Sequence, residues 1–390
     1  MTNSREIENN AGAANLSPTG GAGGGRSLVP RIIIAGGGTG GHIFPAIAIA
    51  NALKRKSPSA EILFIGAKGK MEMEKVPQAG YRIEGLDIAG FDRSSLIKNV
   101  GLPFKLIKSF IQVRKIVNAF KPDAVIGVGG YSSFPVLRYA QAKGIASFIH
   151  ESNSFAGKSN ILLGKKATRI FTATDGMEKF FPVNKIMITG NPVRQNIVTS
   201  QISREEGIKF FDLDPSKKTV LVTGGSLGAK GINEAIDAGV DQFAKSDVQL
   251  IWQTGKPFAS KATEKATWNK NIWTNEFIAK MEYAFAAADV VVSRSGAMAI
   301  AELCVVKKPA VFVPFPFAAE DHQTVNAQNL VNKHAGLMVK DSEAKEKLVS
   351  VVLALIKNDQ QQQELKNNIS KLAITNADEI IANEILKQIQ

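Results

Sequence analysis

Two glycine-rich segments in this chain each stand where a β-branched run gives way to a helical stretch. The first reads Ala35-Gly36-Gly37-Gly38-Thr39-Gly40-Gly41-His42, the second Thr223-Gly224-Gly225-Ser226-Leu227-Gly228-Ala229. Glycines in such a turn let the backbone approach a diphosphate, and the following helix offers unpaired N–H groups and a positive dipole end. Gly36, Gly38 and Gly41 satisfy the dinucleotide pattern G-x-G-x-x-G, so a nicotinamide-dependent oxidoreductase has to be weighed. That reading wants an acid at the end of the second strand, about 20 residues on. The segment there is Ile65-Gly66-Ala67-Lys68, without a carboxylate. One glycine loop is compatible with a tight turn and nothing more. Two equivalent loops point to two phosphate-bearing ligands facing one cleft.

A third junction, Ser293-Arg294-Ser295-Gly296-Ala297-Met298-Ala299-Ile300-Ala301-Glu302, again reads strand, turn, helix. It sets Glu302 about one and a half turns into a helix whose N-terminus can meet a diphosphate. A carboxylate there could hold a ribose diol; the plainer reading is a solvated surface glutamate. His42, at the mouth of the first loop, titrates in the range a base needs at neutral pH. A histidine beside a helix N-terminus also caps helices or binds phosphate, and Glu151 is a competing carboxylate. His150 closes an apolar run and reads as structural, His334 as a surface residue. Asp212-Leu213-Asp214 matches the Asp-x-Asp pattern of metal-dependent transferases, but it precedes Pro215, away from both loops, and reads as a solvated turn. Neither a metal nor a cofactor is called for.

These residues need a scaffold, and the apolar runs supply one. Arg31–Ala35, Glu61–Ile65, Asp123–Val128, Ile145–His150, Thr168–Thr172 and Lys185–Thr189 read as strands, with a helix over Ala46–Lys54. The runs are nearly all apolar, as in parallel strands buried on both faces. The rhythm restarts with Lys218–Thr223, Val248–Gln253, Asp289–Ser293, Pro309–Val313 and Gly336–Val339. Between the sets lies Gly190-Asn191-Pro192-Val193-Arg194, a turn-rich candidate hinge. The polar run Asp359–Gln363 reads as a surface connection, and Asp378–Gln390 as a helix with Ile381, Ile385, Leu386 and Ile389 on one face. The fold class is therefore α/β, with two tandem Rossmann-like domains facing a cleft.

Composition narrows the setting. At 390 residues the chain is long enough for two cores. Its single cysteine, Cys304, rules out an internal disulfide framework and fits a reducing compartment. No apolar run approaches the roughly 20 residues that span a bilayer. Residues 1–29, rich in Gly, Ala, Asn and Ser, read as a disordered tail. The net charge of +13 invites an anionic partner. A basic adaptor on nucleic acid or membrane would explain the charge but leave both loops idle; no nucleic-acid partner is expected. The positive charge gathers locally, with Arg93, Lys98, Lys105, Lys108, Arg114 and Lys115 against Asp92 alone. From Pro103 an amphipathic helix is expected to turn Leu106, Ile107, Phe110 and Val117 toward the core. Leu96, Ile97, Val100, Leu102 and Phe104 before and at its start are left as an apolar tip ringed by lysines, suited to an anionic membrane surface.

Several blocks in one order make a more specific signal. They are Gly37-Gly38-Thr39-Gly40-Gly41-His42-Ile43-Phe44-Pro45, Gly129-Gly130-Tyr131, His150-Glu151-Ser152-Asn153, Gly190-Asn191-Pro192-Val193-Arg194, Gly224-Gly225-Ser226, Arg294-Ser295-Gly296-Ala297, Val313-Pro314-Phe315 and Asp321-His322-Gln323. From about Arg31 to its end the chain resembles the MurG family of peptidoglycan synthesis. The family block often read His-Glu-Gln-Asn carries Ser152 in third place here, with Asn153 retained. The resemblance implies a GT-B type glycosyltransferase fold: a first domain over 30–192, a UDP-sugar domain over 193–376 and a helix over 377–390 that crosses back. It implies inverting transfer of GlcNAc from UDP-GlcNAc to the C4 hydroxyl of MurNAc-pentapeptide on undecaprenyl diphosphate. The setting implied is the cytoplasmic face of the bacterial plasma membrane, with the enzyme held peripherally at the anionic leaflet. Carried over by motif, the donor would be held by Thr39, Gly40, Gly41, Asn153, Arg194, Ser226, Ile278, Ala297, Met298, Ala299, Ile300, Ala301, Glu302 and Gln323. His42 or Glu151 would be the base. A UDP-sugar epimerase of the same architecture is the alternative, and would consume UDP-GlcNAc without an acceptor.

Overall fold

The computed structural model describes residues 29–88, 102–225 and 227–389. The tail, the loop residues Leu96, Ile97 and Val100, and Ser226 lie outside the described residues.

Strands β1 (Arg31–Ala35), β2 (Glu61–Ala67), β3 (Arg82–Leu86), β4 (Ala124–Gly127), β5 (Ala146–Glu151), β6 (Arg169–Thr172) and β7 (Ile186–Ile188) form one parallel sheet, ordered β3-β2-β1-β4-β5-β6-β7. Strands β8 (Lys218–Thr223), β9 (Val248–Gln253), β10 (Ile272–Asn275), β11 (Val290–Ser293), β12 (Ala310–Phe312) and β13 (Leu337–Met338) form the second, ordered β10-β9-β8-β11-β12-β13. Both sheets reverse direction of growth beside their first strand, and such a switch point opens a crevice at the carboxyl ends of the strands. In the first sheet Ile32 sits opposite Ile62 on one side and Ala124 on the other. All three side chains are buried because helices cover both faces.

The polar chain ends at these crevices are where helices begin. The helix Gly40–Lys56 starts earlier than its apolar pattern suggests and includes Pro45. The Thr39 carbonyl already accepts from the His42 and Ile43 N–H groups, so the turn is set before the proline, whose missing N–H falls near the helix start. The closing helix Ala377–Ile389 packs on Gly40–Lys56. Its Ile381, Ala382, Ile385 and Leu386 join the core formed by Ile32, Ile34, Ile49 and Leu53. The C-terminus is thus tied to the first lobe by apolar burial, about 1.5–3 kcal/mol for each fully buried isoleucine.

Three expectations need correction. Asp359–Gln363 is no surface connection but the start of the helix Asp359–Ser370. Asn358 caps that helix by accepting from the Gln361 N–H, and Leu365 and Ile369, one turn apart, face inward. Strands β3 and β10 were not expected, since each is a short edge strand with polar residues among its apolar ones. The helix Leu102–Phe120 is rotated relative to expectation. Ser109, Val113 and Val117 are its buried side, while Leu106 is partly exposed and Phe104, Ile107 and Ile111 are 76%, 60% and 65% exposed. Spacing of four between the buried residues sets one stripe inward. The apolar stripe at 104, 107 and 111 is left facing out.

Candidate functional site

The first glycine loop is a seat for His42. His42 Nδ1 lies 3.0 Å from the Gly37 carbonyl, which can only accept, so Nδ1 carries the proton and Nε2 keeps its lone pair. Room for the ring comes from Gly129, at φ +101°, where a Cβ would stand 2.6 Å from Nε2. Burial lowers the His42 pKa, against the raising influence of the Gly37 carbonyl and the Glu151 carboxylate. A neutral imidazole with a free Nε2 is the form a base requires.

Glu151 has another occupation. One oxygen accepts from the Asn153 N–H at 3.2 Å, the other from the Gly157 N–H at 3.2 Å and from Asn160 Nδ2 at 2.8 Å. The carboxylate therefore braces the loop from Ser152 to Asn160, and of the two candidate bases His42 has the freer acceptor atom. His150, one residue earlier, is fully enclosed, and burial pushes its pKa down to about 4.

Asn153, bonded weakly to Glu151 through Nδ2, also accepts from Asn326 Nδ2 at 3.2 Å. Asn326 belongs to the helix His322–Asn332 of the second lobe, and its Oδ1 accepts the Ser154 N–H at 2.9 Å. Asn191, in the hinge, donates to the Ser152 carbonyl and, at 3.4 Å, to the Ala297 carbonyl. Two buried asparagines thus join the lobes where the crevices meet. The asparagine of the hinge block was legible as a motif residue; Asn326 carried no signal beyond a poor helix former inside a helix.

On the second lobe the helix Ala297–Val306 begins with no side-chain cap and no acidic residue in its first turn. The N–H groups of Ala297, Met298 and Ala299 precede the first helical bond, from Ile300 to the Gly296 carbonyl. Their end of the helix can take an anion. Glu302, further along, is paired with Arg194 at the end of the hinge, Nε to Oε1 at 2.7 Å and Nη2 to Oε2 at 3.0 Å. Ile278 is buried, and its N–H donates to Gln253 Oε1 at 2.9 Å. Gln323 accepts the Phe315 N–H at 3.0 Å, and its carbonyl accepts Ser295 Oγ at 2.8 Å. Before it stand Glu320 and Asp321, both left-handed at φ +55° and +52°. Two successive non-glycine residues in that region are strained, and His322, which follows them, is close enough to His42 to lower its pKa.

Thr39, Gly40 and Gly41 open the first-lobe helix, also without a side-chain cap. Asp214, by contrast, accepts the Ser216 N–H and hydroxyl in an exposed turn. No cluster of metal-ligating side chains occurs among the described residues.

Two parallel-sheet α/β lobes meeting at one crevice form the GT-B architecture. The chain belongs to glycosyltransferase family 28, matching its N-terminal domain over 32–172 and its C-terminal domain over 219–382. It is 52% identical over 92% of its length to the UDP-N-acetylglucosamine--N-acetylmuramyl-(pentapeptide) pyrophosphoryl-undecaprenol N-acetylglucosamine transferase of Phocaeicola vulgatus, covering 96% of that protein. The enzyme of the same name from Parabacteroides distasonis is 51% identical, with 92% and 98% covered. Among solved structures, MurG of Acinetobacter baumannii superposes with a TM-score of 0.76 at 27% identity, covering 92% of this chain and 99% of that one.

Proposed function

We propose that this chain transfers GlcNAc from UDP-GlcNAc to the C4 hydroxyl of the MurNAc-pentapeptide carried on undecaprenyl diphosphate, with inversion. The observation that carries the mechanism is the 3.0 Å contact of His42 Nδ1 with the Gly37 carbonyl, which in the neutral ring places the proton on Nδ1 and leaves Nε2 to accept. Nε2 takes the proton of the acceptor hydroxyl as its oxygen bonds to the anomeric carbon. The bond from that carbon to the UDP oxygen breaks on the opposite face, which inverts the centre. The leaving diphosphate gains charge, and the uncapped start of Ala297–Val306 stabilises it. Thr39, Gly40, Gly41, Asn153, Ser226, Ile278, Gln323 and the residues from Ala297 to Glu302 hold the donor, with Arg194 reaching it from the hinge.

In this reading the lobe over 30–192 takes the acceptor and faces the membrane, and the lobe over 193–376 takes the nucleotide sugar. No described helix is long and apolar enough to cross a bilayer. Attachment is peripheral, through the outward stripe Phe104, Ile107 and Ile111 with Lys105, Arg114 and Lys115 beside it, at the anionic cytoplasmic leaflet of the inner membrane. The product is a building block of peptidoglycan, so the activity serves cell-wall growth, cell shape and division.

The test is UDP release from UDP-GlcNAc with and without a lipid-linked MurNAc-pentapeptide. Release that depends on the acceptor supports transfer. Consumption of UDP-GlcNAc without acceptor, giving an epimerised UDP-sugar, would replace it with the epimerase reading.

A further inference from the structure

Glu72 belongs to no motif, yet it is 1% exposed and sits under the first glycine loop. Its Oε1 accepts the Ala67 N–H at 2.9 Å, at the end of β2, and its Oε2 accepts the Gly38 N–H at 2.7 Å. The backbone is shaped around it. A Cβ on Gly37 would overlap the carboxyl group, and one on Gly66 would lie 2.5 Å from Cγ. The neighbouring loop donors are used as well, Gly36 N–H on the Ile65 carbonyl and Gly37 N–H on the Gly129 carbonyl. The slot that the glycine pattern suggests for a phosphate is, at Gly38, already filled by the protein's own carboxylate.

The Gly38 N–H and the Gly37 carbonyl belong to one peptide group. Glu72 holds its N–H end, and His42 Nδ1 donates to its oxygen end. We infer that Glu72 is a positioning residue for the transfer: carboxylate, peptide and imidazole form a relay that holds the His42 proton on Nδ1 and leaves Nε2 free. A peptide between two glycines flips easily, because neither neighbour has a Cβ to resist the change. Flipping would turn the carbonyl away from His42 and release the tautomer. The clasped N–H prevents that, and bonds in series polarise one another, so the carbonyl becomes a better acceptor. This inference rests on His42 being the base.

The experiment combines ¹⁵N NMR of the histidine rings with steady-state kinetics on the full chain. With four histidines in the sequence, the His42 signals are assignable by comparison with His42→Ala. In the wild-type protein the relay requires a protonated Nδ1 and an unprotonated Nε2; the opposite tautomer overturns it without any variant. Glu72→Gln keeps the shape but cannot accept from both N–H groups. It should mix the His42 tautomers and lower kcat about 10- to 100-fold, as loss of an orienting partner does, with KM for UDP-GlcNAc little changed. Unaltered kcat, or lost kcat with an unaltered His42 tautomer, overturns the inference. Near-normal turnover by His42→Ala would instead defeat the base reading, and the NMR result would still stand on its own.

Discussion

Arg194, at the end of the hinge, and Glu302 meet as a two-point pair, Nε and Nη2 of the guanidinium on the two carboxylate oxygens at 2.7 and 3.0 Å. Each is a donor-site candidate by motif, and in this structure each holds the other. The pair fixes a carboxylate on the Ala297–Val306 helix and prevents an isolated negative charge from opposing an anion at its N-terminus. A planar guanidinium matching both oxygens is a demanding geometry, which lysine cannot supply.

The pair predicts coupled losses in donor binding. Glu302→Ala should weaken UDP-GlcNAc by about 1.5–3 kcal/mol, the scale of a hydrogen bond to a charged group. Arg194→Ala should cost a comparable amount, and the double variant less than the two combined. Isothermal calorimetry reads all three; affinities that simply add would show that the pair does not act as a unit.

The candidate base has its own signature. His42→Ala should leave UDP affinity within a few fold while turnover falls by roughly 10²–10⁴. Burial holds the His42 pKa below the ordinary histidine value of 6.5. A base works unprotonated, so the acid limb of kcat/KM in the wild type should be centred below pH 6.5. A limb centred above 6.5 would assign the proton to another group.

Much of this scaffold could be read in advance, and the reason is burial. β1, β8 and β9 are buried on both faces along nearly their whole length, and their ends fall where the residue pattern places them. β3 is different: Arg82, Glu84 and Gly85 interrupt its apolar residues, because an edge strand has one neighbour and an open side. At the site, residue types were legible and partnerships were not. Arg194 and Glu302 both stand in recognisable blocks, but nothing in a linear pattern joins positions 108 apart. Glu72 and Asn326 stand in no motif, and only folded geometry brings them beneath the glycine loop and across the hinge.

His150 predicts how stability responds to acid. Its pKa is about 4 in the folded chain, pushed down chiefly by burial, against 6.5 for a free histidine. Between those values the unfolded chain binds the extra proton, so stability falls as pH drops from 6.5 to about 4. The full loss is on the order of 3 kcal/mol. Urea unfolding of the wild type and His150→Asn at pH 7.5 and pH 4.5 tests it. The wild type should lose more stability than the variant over that interval, and equal losses would mean that His150 titrates alike in the folded and unfolded chains.

The proposed membrane attachment rests on how the helix Leu102–Phe120 is seated. Ser109, Val113 and Val117 anchor it to the first lobe, which leaves Phe104, Ile107 and Ile111 facing outward. Lys108 is partly neutralised by Asp87, which also binds Lys68; Lys105, Arg114 and Lys115 have no such counter-ion in the described structure. An apolar stripe bordered by cations inserts into the acyl boundary while its charges stay with anionic headgroups, each adding about 1 kcal/mol near the surface. Ile107→Glu and Lys105→Glu should each weaken sedimentation with anionic vesicles, and raised salt should mimic the second more than the first. Both side chains lie away from the glycine loops, so turnover on a short-chain, water-soluble acceptor should be unchanged. Vesicle binding indifferent to both substitutions and to salt would move the membrane-facing surface to another part of the molecule.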